Sequence, residues 1–451
     1  MDNIEITQEM LSELIAKKSV RKIRAIFDEH NIVDLADIVS KLALDEAMFI
    51  FRVLKKGISG ELFAYLDSEV QESLISSFAG DEISSMVDNL YSDDILEILE
   101  EMPAEIVKKV LSSISSERRE EINKLLSYES NSAGSIMTTD FMELAESDSV
   151  EVAMKKIKLK GRLAETINYC FILNAHGVLT GIVSLREIIF APTDTIIGDL
   201  MTTDFVYVRT KDDQEEAIKQ IQKYDIALIP VVDDSNRLVG VITADDIIDA
   251  IEVEATEDIH KMAGVAPIEG SYMKTGIVEM SKSRLTWLLV LMITYTISSL
   301  IIDKNSDLLV TVPSLLAFMP MLMDTAGNAG SQASAMVIRG ITVNDLEVKD
   351  FFKVILKEMS VALICGFILF ALNTLRIVFL VDGVGWDIAI TVSLSVFVVV
   401  VVAKMVGGIL PLIALVVKQD PAAMASPLIT TCVDSLSLIV YFGLARIILR
   451  I

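Results

Sequence analysis

The pattern of apolar and polar positions changes character twice along the chain. Up to about residue 130, apolar residues recur at helical spacing. Leu35, Ile38, Val39 and Leu42, for example, fall at i, i+3, i+4 and i+7 and make one stripe. Ser92-Asp93-Asp94 reads as a helix start, with Ser92 as N-cap and a helix end near Pro103. The pattern predicts a run of short amphipathic helices, an α-helical superhelical domain over residues 1–135. From 136 to 253 the period shortens, and short β-type runs alternate with helical ones. Beyond about residue 284 the apolar runs reach the length of a lipid bilayer.

The middle segment repeats itself. Met137-Thr138-Thr139-Asp140-Phe141 recurs as Met201-Thr202-Thr203-Asp204-Phe205, and Gly177 to Ser184 is echoed by Asn236 to Thr243. Each copy is predicted as strand, amphipathic helix, strand, turn, strand and helix. A period of about 60 residues in two copies suits a paired α/β module. These residues resemble a tandem of cystathionine-β-synthase-type (CBS) domains. That resemblance implies a sensor of adenine nucleotides or ions, with Tyr169, Arg186 and Glu187 where a nucleotide such as ATP is held. Ile226 stands where related transporters offer an aromatic platform.

The apolar runs define five candidate spans, at about 285–302, 308–341, 359–381, 388–417 and 422–448, in a transmembrane domain over residues 284–451. A linking (plug) helix region over residues 254–283 precedes them, interrupted near Pro267 and Gly270. Pro313, Pro320 and a Gly-rich patch break the second run, and Arg376 interrupts the third. Lys274, Lys282 and Arg284, then Lys349, Lys353 and Lys357, then Lys418 all fall on one side of the membrane if the N-terminus is cytoplasmic. Arg446 and Arg450 fall on the other side, against that trend. The expected topology is multi-pass in a plasma (inner) membrane, with the C-terminus outside.

Composition narrows the chemistry. There are 64 acidic against 39 basic residues, a net charge of −25, so nucleic acid is not an expected partner. Three cysteines without Cys-x-x-Cys spacing and three histidines leave little for a thiolate or imidazole metal site. A metal site here is expected to be built from oxygen, which suits Mg²⁺, Ca²⁺ or Mn²⁺. No segment brings together a nucleophile, a base and an orienting group, so the chain does not read as an enzyme.

Within the spans, Asp434 sits in the middle of the last apolar run. A carboxylate at that depth costs about 2.5–3.5 kcal/mol on insertion scales, so it marks a function. Pro320 to Gln332 places Asp324, Gly327 and Asn328 in a stretch of small residues that allows close helix approach or a turn exposing carbonyls. This stretch, with Pro421 to Asp434, closely resembles the MgtE family of magnesium transporters. The likeness covers helical domain, CBS pair, linking helix and five spans. Asn344 to Glu358 would be the family's amphipathic connection, while Ala326 and the Ser426-Pro427 junction depart from its commoner residues. The resemblance implies a homodimer in the lipid bilayer, with a pore lined by the second and fifth spans. Asp434 would be its main cation ligand, assisted by Asp324, the Gly327-Asn328 turn and carbonyls near Ala425.

A second set of acids is soluble: Asp213, Glu215, Asp225, Asp246, Asp249, Glu254, Glu257 and Asp258. Like charges at i, i+3 or i+4 destabilise a bare helix, and a divalent cation reverses the sign. By resemblance, Mg²⁺ held among them and by Asp94 and Glu61 of the helical domain would close the pore through the linking helix. The expectation is thus a Mg²⁺-selective, channel-like transporter gated shut by cytosolic Mg²⁺. A CBS-regulated transporter of Co²⁺ or Mn²⁺ and a non-conducting, membrane-anchored nucleotide sensor remain the alternatives.

Overall fold

The computed structural model describes residues 6–268, 272–273, 275–343, 346–422 and 426–451. The chain divides into two compact units, Met1–Glu252 and Val253–Ile451.

The first unit opens with ten helices, α1 (Gln8–Ala16) to α10 (Ser116–Leu125), among the described residues. Leu11, Ile23, Leu35, Ile50, Leu62, Leu74 and Ile83 come one from each of the first seven, and all are fully buried in one continuous core. Each helix is too short to be stable alone in water, so this shared apolar seam stabilises the stack. Leu96 of α8 (Ser92–Glu100) and Leu125 leave that seam and pack with Met137, Val208, Ala217 and Ile229. The helical domain and the second α/β repeat therefore share a core.

The first repeat runs β1 (Glu143–Ala145), α11 (Val150–Lys160), β2 (Tyr169–Leu173), β3 (Leu179–Ser184) and α12 (Leu185–Phe190). After the short α13 (Ile197–Leu200), the second runs β4 (Val208–Arg209), α14 (Gln214–Tyr224), β5 (Leu228–Val232), β6 (Leu238–Thr243) and α15 (Ala244–Met262). Each sheet has a parallel first pair and an antiparallel second pair. The turn residues Gly177 and Asn236 both take left-handed backbone, with φ of 76° and 58°. Those two residue types tolerate that region best.

The repeated Met-Thr-Thr-Asp-Phe segments exchange partners. Thr138 pairs through its backbone with Val241 of the second repeat, and Thr202 with Ile182 of the first. A Cβ on Gly240 would lie 2.7 Å from the Met137 sulfur, and one on Gly181 would lie 2.6 Å from the Met201 sulfur. Each glycine is therefore the seat for the other repeat's methionine.

Among the described residues of the second unit, four helices are long and apolar enough to cross a membrane. They are α16 (Ile277–Lys304), α19 (Phe351–Leu380, with the preceding 3₁₀ turn Val348–Asp350), α20 (Trp386–Val416) and α21 (Ser426–Leu449). The short α17 (Ser306–Thr311) precedes α18 (Ser314–Thr342), whose 29 residues reach about 43 Å. Polar residues keep α18 below the hydropathy of the other four. It still packs against both α20 and α21. The Tyr441 hydroxyl of α21 donates to the Leu315 carbonyl of α18 at 2.9 Å. Arg446 is paired with Asp307 at 3.1 Å, which neutralises one of the two arginines that ran against the charge asymmetry.

Three local expectations are corrected. Tyr91, not Ser92, is the N-cap of α8, and Ser92 is its first helical residue. The Ser92 amide and hydroxyl are instead turned toward Asp140, at 2.9 and 2.8 Å. The Gly327-Asn328 stretch is not a turn, because α18 is continuous through it and through Pro320. The small residues there serve close packing: a Cβ on Gly407 of α20 would lie 2.1 Å from the Gly330 carbonyl oxygen. The first span also begins earlier than the apolar run, at Ile277. Ala425, Gly270 and Asn344 lie outside the described residues.

Candidate metal centre and pore site

Two carboxylate sites stand out, one in each unit. In the first unit, ligand oxygens of Asp93, Glu165 and Asp246 lie within 4.8 Å of one another. Among the described residues, this is the group of acids close enough together to hold a metal ion. Three different elements deliver them. Asp93 is the second residue of α8, Glu165 follows α11 in the loop before β2, and Asp246 lies in the first turn of α15.

Asp246 is fixed by the Thr243 amide at 3.1 Å and the Thr243 hydroxyl at 2.7 Å. Asp93 Oδ1 and Glu165 Oε2 are buried and accept no hydrogen bond. Such orphaned anionic oxygens are costly unless a cation faces them. Burial, and then the Asp93 charge, push the Asp246 carboxyl up to about 8. Burial, then Asp93 and Asp246, push Glu165 up to about 8 as well. Asp93 is raised by burial, against donors at the start of its own helix. Three hard oxygen donors with two unpaired atoms fit a divalent cation such as Mg²⁺.

A looser ring of acids lies beside this group. Burial, then Asp93, raises Asp94 to about 7. Burial, then Asp249, raises Glu97. Glu61, Asp94 and Asp245 all act on the hydroxyl of Tyr65. Of the acids that the sequence singles out, Asp246 thus belongs to the close group, while Asp94, Asp249 and Glu61 fall in the ring.

The remaining acids are elsewhere. Asp213 N-caps α14, Glu215 pairs with Lys219 at 2.5 Å, and Asp225 ends α14 in left-handed backbone. In the second unit, Glu257 pairs with Lys261, and Glu254 and Asp258 are half-buried on α15. Sequence reasoning missed Asp93 and Glu165. Asp93 had a signal, an acid in the first turn of a helix, but Glu165 is a loop residue with none.

For a nucleotide, Tyr169 is half-buried against the cluster around Phe171, and Arg186 and Glu187 are exposed at the start of α12. Glu187 accepts the amide and hydroxyl of Ser184 at 2.9 and 2.8 Å, so it also caps its own helix.

In the second unit, Asp434 of α21 is buried at 7% exposure. Its Oδ1 lies 3.9 Å from the position of a Cβ on Gly327, so the missing side chain there opens α18 to the carboxylate. Asp324 is near enough for its charge to repel that of Asp434. Asp324, Asn328 and Gln332, spaced four apart, form an exposed polar stripe on α18. Because α18 stays helical through Gly327 and Asn328, it presents side-chain oxygens there rather than the carbonyls of a turn. Lys404, the lone charge within the fourth run, is buried in α20.

Comparison with known proteins adds the family. The profile of MgtE, a divalent cation transporter, matches residues 319–444, and that of the MgtE intracellular N domain matches 30–131. The CBS domain profile matches 133–194 and 197–253. A magnesium transporter MgtE of Thermus thermophilus is 36% identical over 336 residues, 74% of this chain and 73% of the relative. One of Bacillus subtilis is 34% identical over 333 residues, with the same shares covered. The crystal structure of the soluble part of a magnesium transporter superposes with a TM-score of 0.53 at 29% identity, covering 55% of this chain and 98% of that one.

Proposed function

This chain belongs to the MgtE family of divalent cation transporters, and on that premise we propose that it carries Mg²⁺ across a plasma (inner) membrane. The observation that carries this reading is Asp434, a carboxylate buried in a membrane helix against a glycine of α18. Mg²⁺ sheds its waters reluctantly, so a carboxylate beside the polar stripe of Asp324 and Asn328 would hold it largely hydrated. Ala425 carbonyls complete the proposed pore set.

In this reading α18 is the fifth membrane span. Its length and its packing between α20 and α21 support that assignment. The functional unit is a homodimer, which the exposed apolar residues Leu159 and Phe190 on the first repeat favour. The N-terminal unit is cytoplasmic.

Gating follows from electrostatics. Without a divalent cation, Asp93, Glu165 and Asp246 repel one another and oppose docking of α8 on the repeats. With Mg²⁺ bound they hold that docking, and α15 transmits the closed state toward the first span. Asp249, Asp94 and Glu61 would add outer binding; Asp213, Glu215, Asp225, Glu254, Glu257 and Asp258 complete the acids assigned to sensing. ATP at the CBS pair, contacting Tyr169, Arg186 and Glu187, is part of the proposal through the CBS resemblance, and equilibrium dialysis tests it.

The deciding experiment is ion flux into proteoliposomes with Mg²⁺ set independently on each side, and with Co²⁺, Mn²⁺ and Ca²⁺ as competing cations. Flux that stops as Mg²⁺ rises on the side of the N-terminal unit is the expected result. Absence of any divalent flux would refute transport. Flux indifferent to that Mg²⁺ would refute the gate.

A further inference from the structure

The end of α15 carries a feature that the gating reading does not use. Lys261 lies in its last turn, and its Nζ bridges two carboxylates, Glu257 one turn earlier and Asp420 at 2.6 Å. Asp420 precedes Pro421 in the loop between α20 and α21. All three side chains are largely shielded, at 26%, 19% and 36% exposure for Lys261, Glu257 and Asp420. The other Asp420 oxygen accepts the Ala422 amide at 2.7 Å, so this carboxylate shapes the loop and holds the lysine together.

A second tie lies just beyond. Gly264, with φ of 70°, ends α15, and the Ala266 amide then donates to the Ser283 carbonyl of α16 at 2.9 Å. The linker is thus fastened at two points, to the first span and to the loop entering the last. Asp434 lies eight residues into α21 from Ser426, about 12 Å along the axis.

We infer that Lys261 is a positioning residue, a cation built into the chain that clasps the end of the linking helix to the loop leading into the Asp434 helix. The inference rests on the gating reading and deepens it. The clasp keeps the linker docked on the membrane domain whether or not Mg²⁺ is bound, so metal at the distant acids closes a gate already assembled at its membrane end. A half-buried amine between two carboxylates is a charge-assisted contact rather than a surface pair.

Two measurements on the full chain in proteoliposomes test this. In the first, Lys261→Met and Asp420→Asn should each raise the Mg²⁺ needed for half-closure about tenfold, the loss of one charge-assisted contact. Lys261→Arg should close as the unaltered protein does, and the exchange Lys261→Asp with Asp420→Lys should recover most of the loss. Failure of both Arg and the exchange to rescue would overturn the electrostatic clasp. The second measurement is crosslinking by a flexible bifunctional thiol reagent between cysteines at the neighbouring positions 262 and 419, which leaves Lys261 and Asp420 in place, with Cys365 and Cys432 replaced by serine. Crosslinks should form equally with Mg²⁺ and with chelator. Crosslinking that requires Mg²⁺, or none at all, would overturn the metal-independent clasp. This readout stands even if flux is indifferent to Mg²⁺, so it separates failure of the clasp from failure of the gate.

Discussion

At the scale of single residues, the proposed chemistry rests on carboxylates that the fold has partly removed from water. Asp434→Asn keeps the shape of the side chain beside Gly327 but removes its charge. Mg²⁺ flux should fall below detection in a proteoliposome assay while the protein remains folded, because an intramembrane charge is costly to keep. The Asp93 group makes a pH prediction. The carboxyls of Asp94, Glu165 and Asp246 are raised to about 7, 8 and 8 in the folded protein, above their unfolded values. The folded state then binds more protons than the unfolded one across that interval. The stabilising contribution is complete below the unfolded values, near pH 4, and is lost as pH rises through 7 to 8. Calorimetry of the metal-free protein should show the transition of its N-terminal unit moving to lower temperature between pH 6 and pH 8.5. Millimolar Mg²⁺ should remove most of that slope. Asp93→Asn should also flatten it in the absence of metal, since Asp93 is the leading charge acting on both Glu165 and Asp246.

Between elements, two glycine contacts set how closely the parts approach. At Gly407 an alanine methyl would enter the Gly330 backbone, where no side chain can move aside. Gly407→Ala should therefore push α18 away from α20 and abolish flux with Asp434 intact. Retained flux would show that this crossing is not tight in the working protein. Gly240→Ala meets the flexible end of Met137, with the Thr138 carbonyl also 2.7 Å away. It should destabilise the paired repeats by about 1–3 kcal/mol, the usual range for overpacking, measurable in the same calorimetric transition. The repeat itself is visible in the sequence, because the same strand and helix must be encoded twice. The exchange of the Met-Thr-Thr-Asp-Phe segments is not, since a backbone pairing between copies leaves no spacing to read. The N-cap of α8 shows the same limit. Ser92 has the right chemistry for a cap, but Asp140, 48 residues away, binds its amide and hydroxyl.

For the whole molecule, the topology prediction is five spans with the chain's two ends on opposite faces. A cysteine introduced after Ile448, in a background without Cys365 and Cys432, should react with an impermeant reagent from outside the cell. Reaction only from the cytoplasm would mean a miscounted span. Asp307 pairs with Arg446, one of the two arginines that run against that orientation; Arg450 is the other. Periodicity and composition by themselves determined the order of parts: short amphipathic helices, a doubled α/β unit, then bilayer-length apolar runs. These are local properties, because burying one face of a helix or a strand imposes its period directly on the residues. Asp434, Asp324 and Asp246 were legible as candidates for a related reason: charge in an apolar run, or packed acids on one helix, is unusual without any knowledge of neighbours. Only the tertiary structure decided that Asp93 and Glu165 join Asp246, that α18 stays helical through its glycines, and that Lys261 faces Asp420. Each of these depends on which distant segments meet in space, and a chain read one residue at a time does not contain that distance.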